Sequence, residues 1–255
     1  MTMTSQEMLA EARRLTAEAE AAGIQLRALG GLAVRMRREV AHPLFDRNFA
    51  DFDFVVSKKQ RRAFESFMQA QGYLPDKPFN LLNGAERQLY YEGKSQVKAD
   101  IFIGDFVMCH KIPLEARLSA DPLTIPLAEL LLTKAQILEL NRKDALDLCA
   151  LLLFHETGET DADINLQVIA QRCGADWGLY KTVSINLERA RQFAQNESAL
   201  TPQERDVILG RAGEILRVFE SMPKSPAWQI RDRVGARVKW YIEVEEVDRD
   251  SRLAD

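Results

Sequence analysis

The sequence predicts an α+β fold: a mixed sheet with flanking helices, followed by an all-helical C-terminal domain. Two observations predict it. Every run that suits a β-strand lies ahead of Pro126, and beyond Pro126 one segment after another has the spacing of a helix. The stretch Ser119–Pro126 separates the two regimes, which divides the chain into residues 1–122 and 123–255.

Taken in order, Ser5–Ala22 is rich in Ala, Glu and Arg, with Met8, Leu9, Ala12 and Leu15 at helical spacing and Gly23 as a stop. Ile24–Leu29 is a short apolar run that suits a buried strand. Gly30-Gly31 ends it, and Leu32–Arg38 reads as the first turns of a helix that His42-Pro43 breaks; the segment on to Ala50 is a loop. Asp51–Val56 alternates acidic and apolar residues and then turns apolar, a strand with an acidic face at its start. Lys58–Gly72 suits a helix. Phe79–Leu82 and Gln88–Tyr91 flank Asn83-Gly84, a candidate turn, and Val97–Ile103 is a further strand. Beyond the boundary, Leu127–Leu140, Lys143–His155, Ile164–Arg172, Leu179–Asn196, Pro202–Phe219 and Ala227–Val247 suit helices.

Composition narrows the function classes. With 46% hydrophobic residues the chain can bury a core, and its net charge of −4, with both signs mixed, excludes a polycation that grips nucleic acid globally. Cys109, Cys149 and Cys173 lie far apart without a CxxC zinc pattern, and three is an odd number, so reduced thiols in the cytoplasm are expected. The N-terminus is acidic and amphipathic, and no window reaches the roughly 18 apolar residues of a membrane span.

The chemistry concentrates in a few acids. Asp51 and Asp53 stand two apart on one strand, so they share a face with Cα atoms roughly 6–7 Å apart. Carboxylates that close repel unless a positive charge lies between them, and hard divalent cations prefer such oxygens. Asp100 stands inside the apolar run Val97–Ile103, where an unpartnered carboxylate is costly. A strand holding Asp100 beside the Asp51 strand would bring the acids together, as metal-assisted phosphoryl chemistry requires. The alternative is that these acids cap a turn or pair with Arg47, Lys98 or Arg87. Gly30 and Gly31, between a strand and a helix, let backbone approach a ligand and leave helix N–H groups for an anion; a tight strand-to-helix turn would use them equally well.

This order, with Gly30-Gly31-Leu32-Ala33-Val34, then Arg47-Asn48-Phe49-Ala50-Asp51-Phe52-Asp53, then Lys98-Ala99-Asp100-Ile101-Phe102, resembles the polymerase β-type nucleotidyltransferase superfamily. It is most similar to the small prokaryotic branch of abortive-infection-type toxins and antibiotic nucleotidyltransferases, whose members also carry a helical lysine and a charged segment like Leu132-Thr133-Lys134-Ala135 and Asn141–Leu148. The resemblance spans about residues 24–155. It implies a nucleotidyltransferase-type sheet and transfer of an NMP from an NTP such as ATP to a hydroxyl of a protein, an RNA or a small molecule, with a toxin–antitoxin-like setting as one form. It also implies two Mg²⁺ ions, ligated by Asp51, Asp53 and Asp100, with Asp100 assisting deprotonation of the attacking hydroxyl. Gly30 and Gly31 would hold the β- and γ-phosphates, Lys134 would neutralise a phosphate, and Arg47 would orient the loop or the nucleotide. A solvated helix lysine is the alternative for Lys134. For Asp144 and Asp147, three apart on one helix face, a salt bridge with Arg142 or Lys143 is expected. The chain departs from relatives in having Phe49 where many have Thr or Ser, and Ala99 before the third acid. A different class of reading keeps the fold without catalysis, as a nucleotide- or partner-binding protein.

Other motifs fail on their own terms. His155-Glu156-Thr157-Gly158-Glu159 begins like a zinc-protease helix but has Glu159 where the second histidine must stand. Val97–Asp100 gives Lys-x-acid, the reverse of the acid-x-Lys strand of metal-dependent nucleases. Trp228 and Trp240 read as packing residues.

Overall fold

The computed structural model describes residues 3–243. Thr4 starts the first helix, α1 (Ser5–Ala21), with a capping box: its hydroxyl accepts the Glu7 N–H, and Glu7 reaches back to the Thr4 N–H at 2.7 Å. The apolar stripe of Met8, Ala12, Leu15 and Ala19 is buried against the sheet side of the molecule. Strand β1 (Leu26–Leu29) leads directly into the short helix α2 (Gly30–Met36). Next come β2 (Asp51–Val56), a 3₁₀ turn at Lys58–Gln60, α3 (Arg61–Ala70) and β3 (Tyr73–Pro75). α4 (Lys77–Asn83), β4 (Arg87–Glu92) and β5 (Lys98–Ile103) complete this part.

These strands form one sheet in the order β1-β2-β5-β4-β3, in which β2 and β5 are parallel and every other pair is antiparallel. The parallel pair is what the site depends on. Its crossover, from α3 through β4, allows two strands far apart in sequence to start at the same edge, so residues at their beginnings become neighbours. A hairpin of β6 (Asp105–Val107) and β7 (Lys111–Pro113) follows.

The segment expected to separate two domains is tied to the sheet. Ala28 of β1 donates to Leu123 O and accepts from the Ile125 N–H, each at 3.0 Å, so residues 123–125 extend that edge. Helices α5 (Leu127–Ala135) and α6 (Arg142–Phe154) then pack on α2, which is sandwiched between them and the sheet. β8 (Thr157–Gly158) and β9 (Ile164–Asn165) form a minimal parallel pair, so strand takes up four of the described residues in the otherwise helical C-terminal region. α7 (Leu166–Ala175), α8 (Trp177–Asn196), α9 (Pro202–Ser221) and α10 (Pro226–Val234) complete the chain's described helices. No helix among the described residues is long and apolar enough to cross a membrane.

Phe79–Leu82, ahead of the turn at Asn83-Gly84, belongs to α4, which Asp76 caps by accepting the Phe79 N–H at 3.0 Å and whose first turn suits Pro78. Two expected helices are corrected. The helix expected to run from Ala227 to Val247 ends at Val234, where Gly235 takes a positive φ of 62°; residues 244–247 lie outside the described residues. The helix expected over Leu127–Leu140 ends at Ala135, and Asn186 secures the exit by donating to Ala135 O at 2.9 Å.

Candidate active site

The alternation in β2 sends Phe52 and Phe54 into the core and turns Asp51 and Asp53 to the opposite face. Parallel pairing then sets Asp53 beside Asp100 and Asp51 beside Lys98. In-register neighbours on adjacent strands have side chains on one face, about 4.8 Å apart along the hydrogen-bonding direction. Antiparallel pairing puts Leu29, the last residue before Gly30-Gly31, beside Asp53. Thus Asp51, Asp53, Asp100 and the glycine turn meet at one place.

Gly30 adopts φ 70°, a left-handed conformation that favours glycine, and its missing side chain makes room for a carboxylate. A Cβ there would overlap Oδ2 of Asp53 and lie 2.9 Å from its Cγ. A Cβ on Gly31 would overlap Nη2 of Arg47 and lie 3.2 Å from Oδ2 of Asp147. Gly30 is therefore demanded by its backbone together with the approach of Asp53, whereas at Gly31 the atom met is the tip of the flexible Arg47 side chain. The N-cap residue of α2 is Leu29, whose side chain has no acceptor, so the first N–H groups of the helix receive no side-chain cap.

Two basic residues counter the acids. Arg87, at the start of β4, straddles Asp100: Nε donates to Oδ1 at 2.7 Å and Nη2 donates to Oδ2. Its guanidinium lies 5.2 Å from the centre of the Phe102 ring. Lys98 Nζ lies 3.4 Å from Asp51 Oδ2 and 4.0 Å from Asp100 Oδ2. Among the described residues, Asp53 receives no such partner. Burial, then the charges of Asp51 and Asp100, push its carboxyl up to about 8, against a weaker downward pull from Lys134 and Lys98. Arg87 is held protonated above the ordinary arginine range although burial opposes its charge, because its bonds to Asp100 prevail.

A second cluster adjoins the first through Gly31. Lys134, on α5, is half-buried and bonded to Asp144 Oδ1 at 3.1 Å and Asp147 Oδ2 at 2.9 Å. Arg47 Nη2 donates to both oxygens of Asp147, at 3.1 and 2.9 Å, while its guanidinium lies 5.0 Å from the centre of the Phe49 ring. Burial opposes the charge of Lys134, but Asp147 and Asp144 outweigh it and hold the ammonium above the ordinary lysine range. Lys134 is thus no solvated helix lysine. The expected partners of Asp144 and Asp147 are also corrected: Arg142 turns away to Glu197 at 3.0 Å, and the acids point inward to Lys134 and Arg47.

The loop between α2 and β2 docks on the helical part through His42. His42 Nε2 lies 3.1 Å from Glu204 Oε1, and Asp46 takes ion pairs from Arg35 at 3.3 Å and from Arg38. His155 caps the C-terminus of α6 as a helix-end histidine.

Among the described residues, no group of three His, Cys, Asp or Glu side chains is drawn together to hold a metal ion. The donor set nonetheless suits one. Three carboxylates share a face and hard cations prefer such oxygens, although Arg87 now holds Asp100 and Lys98 holds Asp51, so a metal would have to replace them there.

Residues 1–165 match the sequence model of a family described as uncharacterised nucleotidyltransferase, and the chain belongs to that family. A similar solved structure is an antigenic nucleotidyltransferase-like protein from Paracoccidioides brasiliensis, 10% identical, with a TM-score of 0.45, matched over 89% of this chain and 98% of that one. No curated protein matches the chain.

Proposed function

We propose that this nucleotidyltransferase-family chain transfers an NMP from an NTP, ATP being the first to test, to an acceptor hydroxyl. The observation that carries this reading is the register that sets Asp53 beside Asp100 with Asp51 on the same face, next to Gly30. In the proposed reaction the acceptor oxygen forms a bond to the α-phosphorus, the bond from that phosphorus to the β-phosphate's bridging oxygen breaks, and pyrophosphate leaves. The hydroxyl's proton passes to a carboxylate, for which Asp100 is the candidate.

Asp51, Asp53 and Asp100 are the residues that would hold Mg²⁺, in the two-ion arrangement the family resemblance implies. Bound there, the ions supply positive charge to the attacking and leaving oxygens. The protein's own groups would position the triphosphate. Gly30 and Gly31 offer uncapped N–H groups, while Lys134 and Arg47 offer positive charge close by, at present shared with Asp147. Residues 1–122 would supply the carboxylates, and residues 123–255 would supply Lys134 with its acidic partners. The acceptor on this reading is a protein, an RNA or a small hydroxylated molecule, a toxin-like role being one form.

A labelled-NTP transfer assay across such acceptors, read beside pyrophosphate release, tests the proposal. Transfer that disappears in Asp53→Asn, with the fold retained, is expected. The competing reading is a nucleotide- or partner-binding protein without catalysis, which the pairing of Asp100 with Arg87 and of Asp51 with Lys98 favours. Nucleotide binding by calorimetry, without pyrophosphate release on any acceptor, would decide for it.

A further inference from the structure

The carboxylates of the site carry their own counter-ions, and one of these is placed to compete with a metal. Arg87 engages both oxygens of Asp100, and Asp100 is itself buried, with only 3% of its surface exposed. A buried carboxylate held on both oxygens has no free rotation toward a new ligand, since turning it would break two charge-assisted bonds at once. Lys98 adds a weaker hold, reaching Asp51 and, at 4.0 Å, Asp100.

Arg87 is the more exposed member of the pair. It is the first residue of β4, directly after the turn that follows α4, and a quarter of its side chain is exposed. Phe102, its neighbour across the β4–β5 pairing, lies 5.2 Å from the guanidinium in the same conformation that holds Asp100 and adds to that hold. A cation that claims Asp100 must therefore displace Arg87 from both contacts, and the exposed arginine rather than the buried carboxylate is the side chain that moves.

We propose that Arg87 is a positioning residue that occupies Asp100 until a divalent cation displaces it, so that the free protein binds metal weakly and an NTP strengthens the binding. The inference rests on the metal reading given above and assigns it an order: nucleotide and metal load together. Two cations that claim the same oxygens are linked equilibria, and the apparent metal affinity falls by the fraction of molecules in which Arg87 holds Asp100. A triphosphate shifts the balance because its negative charge stabilises a metal at the carboxylates and can also accept the released guanidinium.

The test uses Mn²⁺ as the probe, titrated by calorimetry into the full chain, with and without a non-hydrolysable NTP. Wild type, Arg87→Met and Arg87→Lys are compared, with circular dichroism checking that each is folded. Without nucleotide, Arg87→Met is expected to bind Mn²⁺ about tenfold more tightly than wild type, and the gain from adding NTP should shrink. Arg87→Lys, which keeps the charge but can straddle only one oxygen well, should fall between them. The lysine variant carries the test if the methionine variant does not fold. Mn²⁺ binding by wild type that is unchanged or weakened in these variants overturns the role of Arg87 while leaving the metal reading in place. Absence of Mn²⁺ binding in every form, with or without nucleotide, overturns that metal reading and this inference with it.

Discussion

Gly30 and Asp53 occupy one space: a side-chain carbon on the glycine would overlap Oδ2 of the aspartate and stand 2.9 Å from its Cγ. The strand-to-helix turn and the central carboxylate therefore fit each other only without a side chain at position 30. Gly30→Ala should cost about 1–3 kcal/mol from the left-handed backbone alone and should also displace Asp53, abolishing transfer. Gly23 is a control within the same molecule, with φ 72° and nothing within 4 Å of its missing Cβ. Gly23→Ala should show the backbone cost without the loss of transfer. Urea unfolding of both variants beside pyrophosphate release checks this, and equal stability with intact activity in Gly30→Ala would refute it.

The carboxyl of Asp53 is pushed up to about 8 by burial and by Asp51 and Asp100, and the sign of its effect on stability follows. In the unfolded chain an aspartate titrates near about 3.9. Below that value both states hold the proton and the group contributes no difference. Between it and about 8 the folded state keeps a proton that the unfolded state has released, so stability falls as pH rises, and above about 8 the cost is at its full size. Asp53→Asn should remove this slope. At pH 8, without divalent cations, the variant should be more stable than wild type by about 1 kcal/mol, while transfer is lost. Unfolding midpoints at pH 5 and pH 8 in chelator decide it; parallel pH profiles for the two proteins would show that Asp53 bears no such strain.

Lys134 links stability to substrate binding. Sequence alone expects its removal to raise the KM for NTP and leave the fold intact, but its bonds to Asp144 and Asp147 add a structural cost. Lys134→Met leaves two inward acids with Arg47 as the remaining partner of one of them. We expect a loss of about 3 kcal/mol together with the raised KM. Since Asp147 is then short of a partner, adding Asp147→Asn should cost less than its single effect predicts. A double-mutant cycle in urea reads the coupling, and strict additivity would argue that the two side chains do not depend on each other.

What was legible in the sequence was local. The alternation Asp51-Phe52-Asp53-Phe54 gives β2 and its acidic face, because strand periodicity needs only adjacent residues. Gly30-Gly31 marks the strand-to-helix turn for the same reason. The pairing of β2 with β5 was legible only as a condition, since nothing in a single chain sets which strands become neighbours. Arg87 could be named as one candidate partner among three, but choosing it needs the β4–β5 register, as choosing Lys134 and Arg47 for Asp147 needs the packing of α5 and α6 on α2. The turn signal Asn83-Gly84 was legible too, and the Glu86 N–H closes that turn on Asn83 O at 2.9 Å, but the helix just ahead of it, capped by Asp76, was not. That Gly31 faces the tip of Arg47 was hidden altogether, since the two come together across a loop.

Stability and chemistry can also be separated, at Arg117. Its guanidinium joins the fully buried Glu129 of α5, at 2.7 Å, to Asp161 in the loop before β9, with Nη1 at 3.0 Å from Oδ2. None of the carboxylates of the candidate site takes part in these bonds. Breaking a buried pair by removing one member leaves the other charge without compensation, so Arg117→Met should cost about 3–5 kcal/mol. Glu129→Gln, which keeps the shape and removes the charge, should cost less, and combining it with Arg117→Met should recover part of the loss. At a temperature where the variants stay folded, the KM for NTP should equal that of wild type. A KM that shifted in Arg117→Met as it does in Lys134→Met would mean that the α5 network acts on the site as one unit.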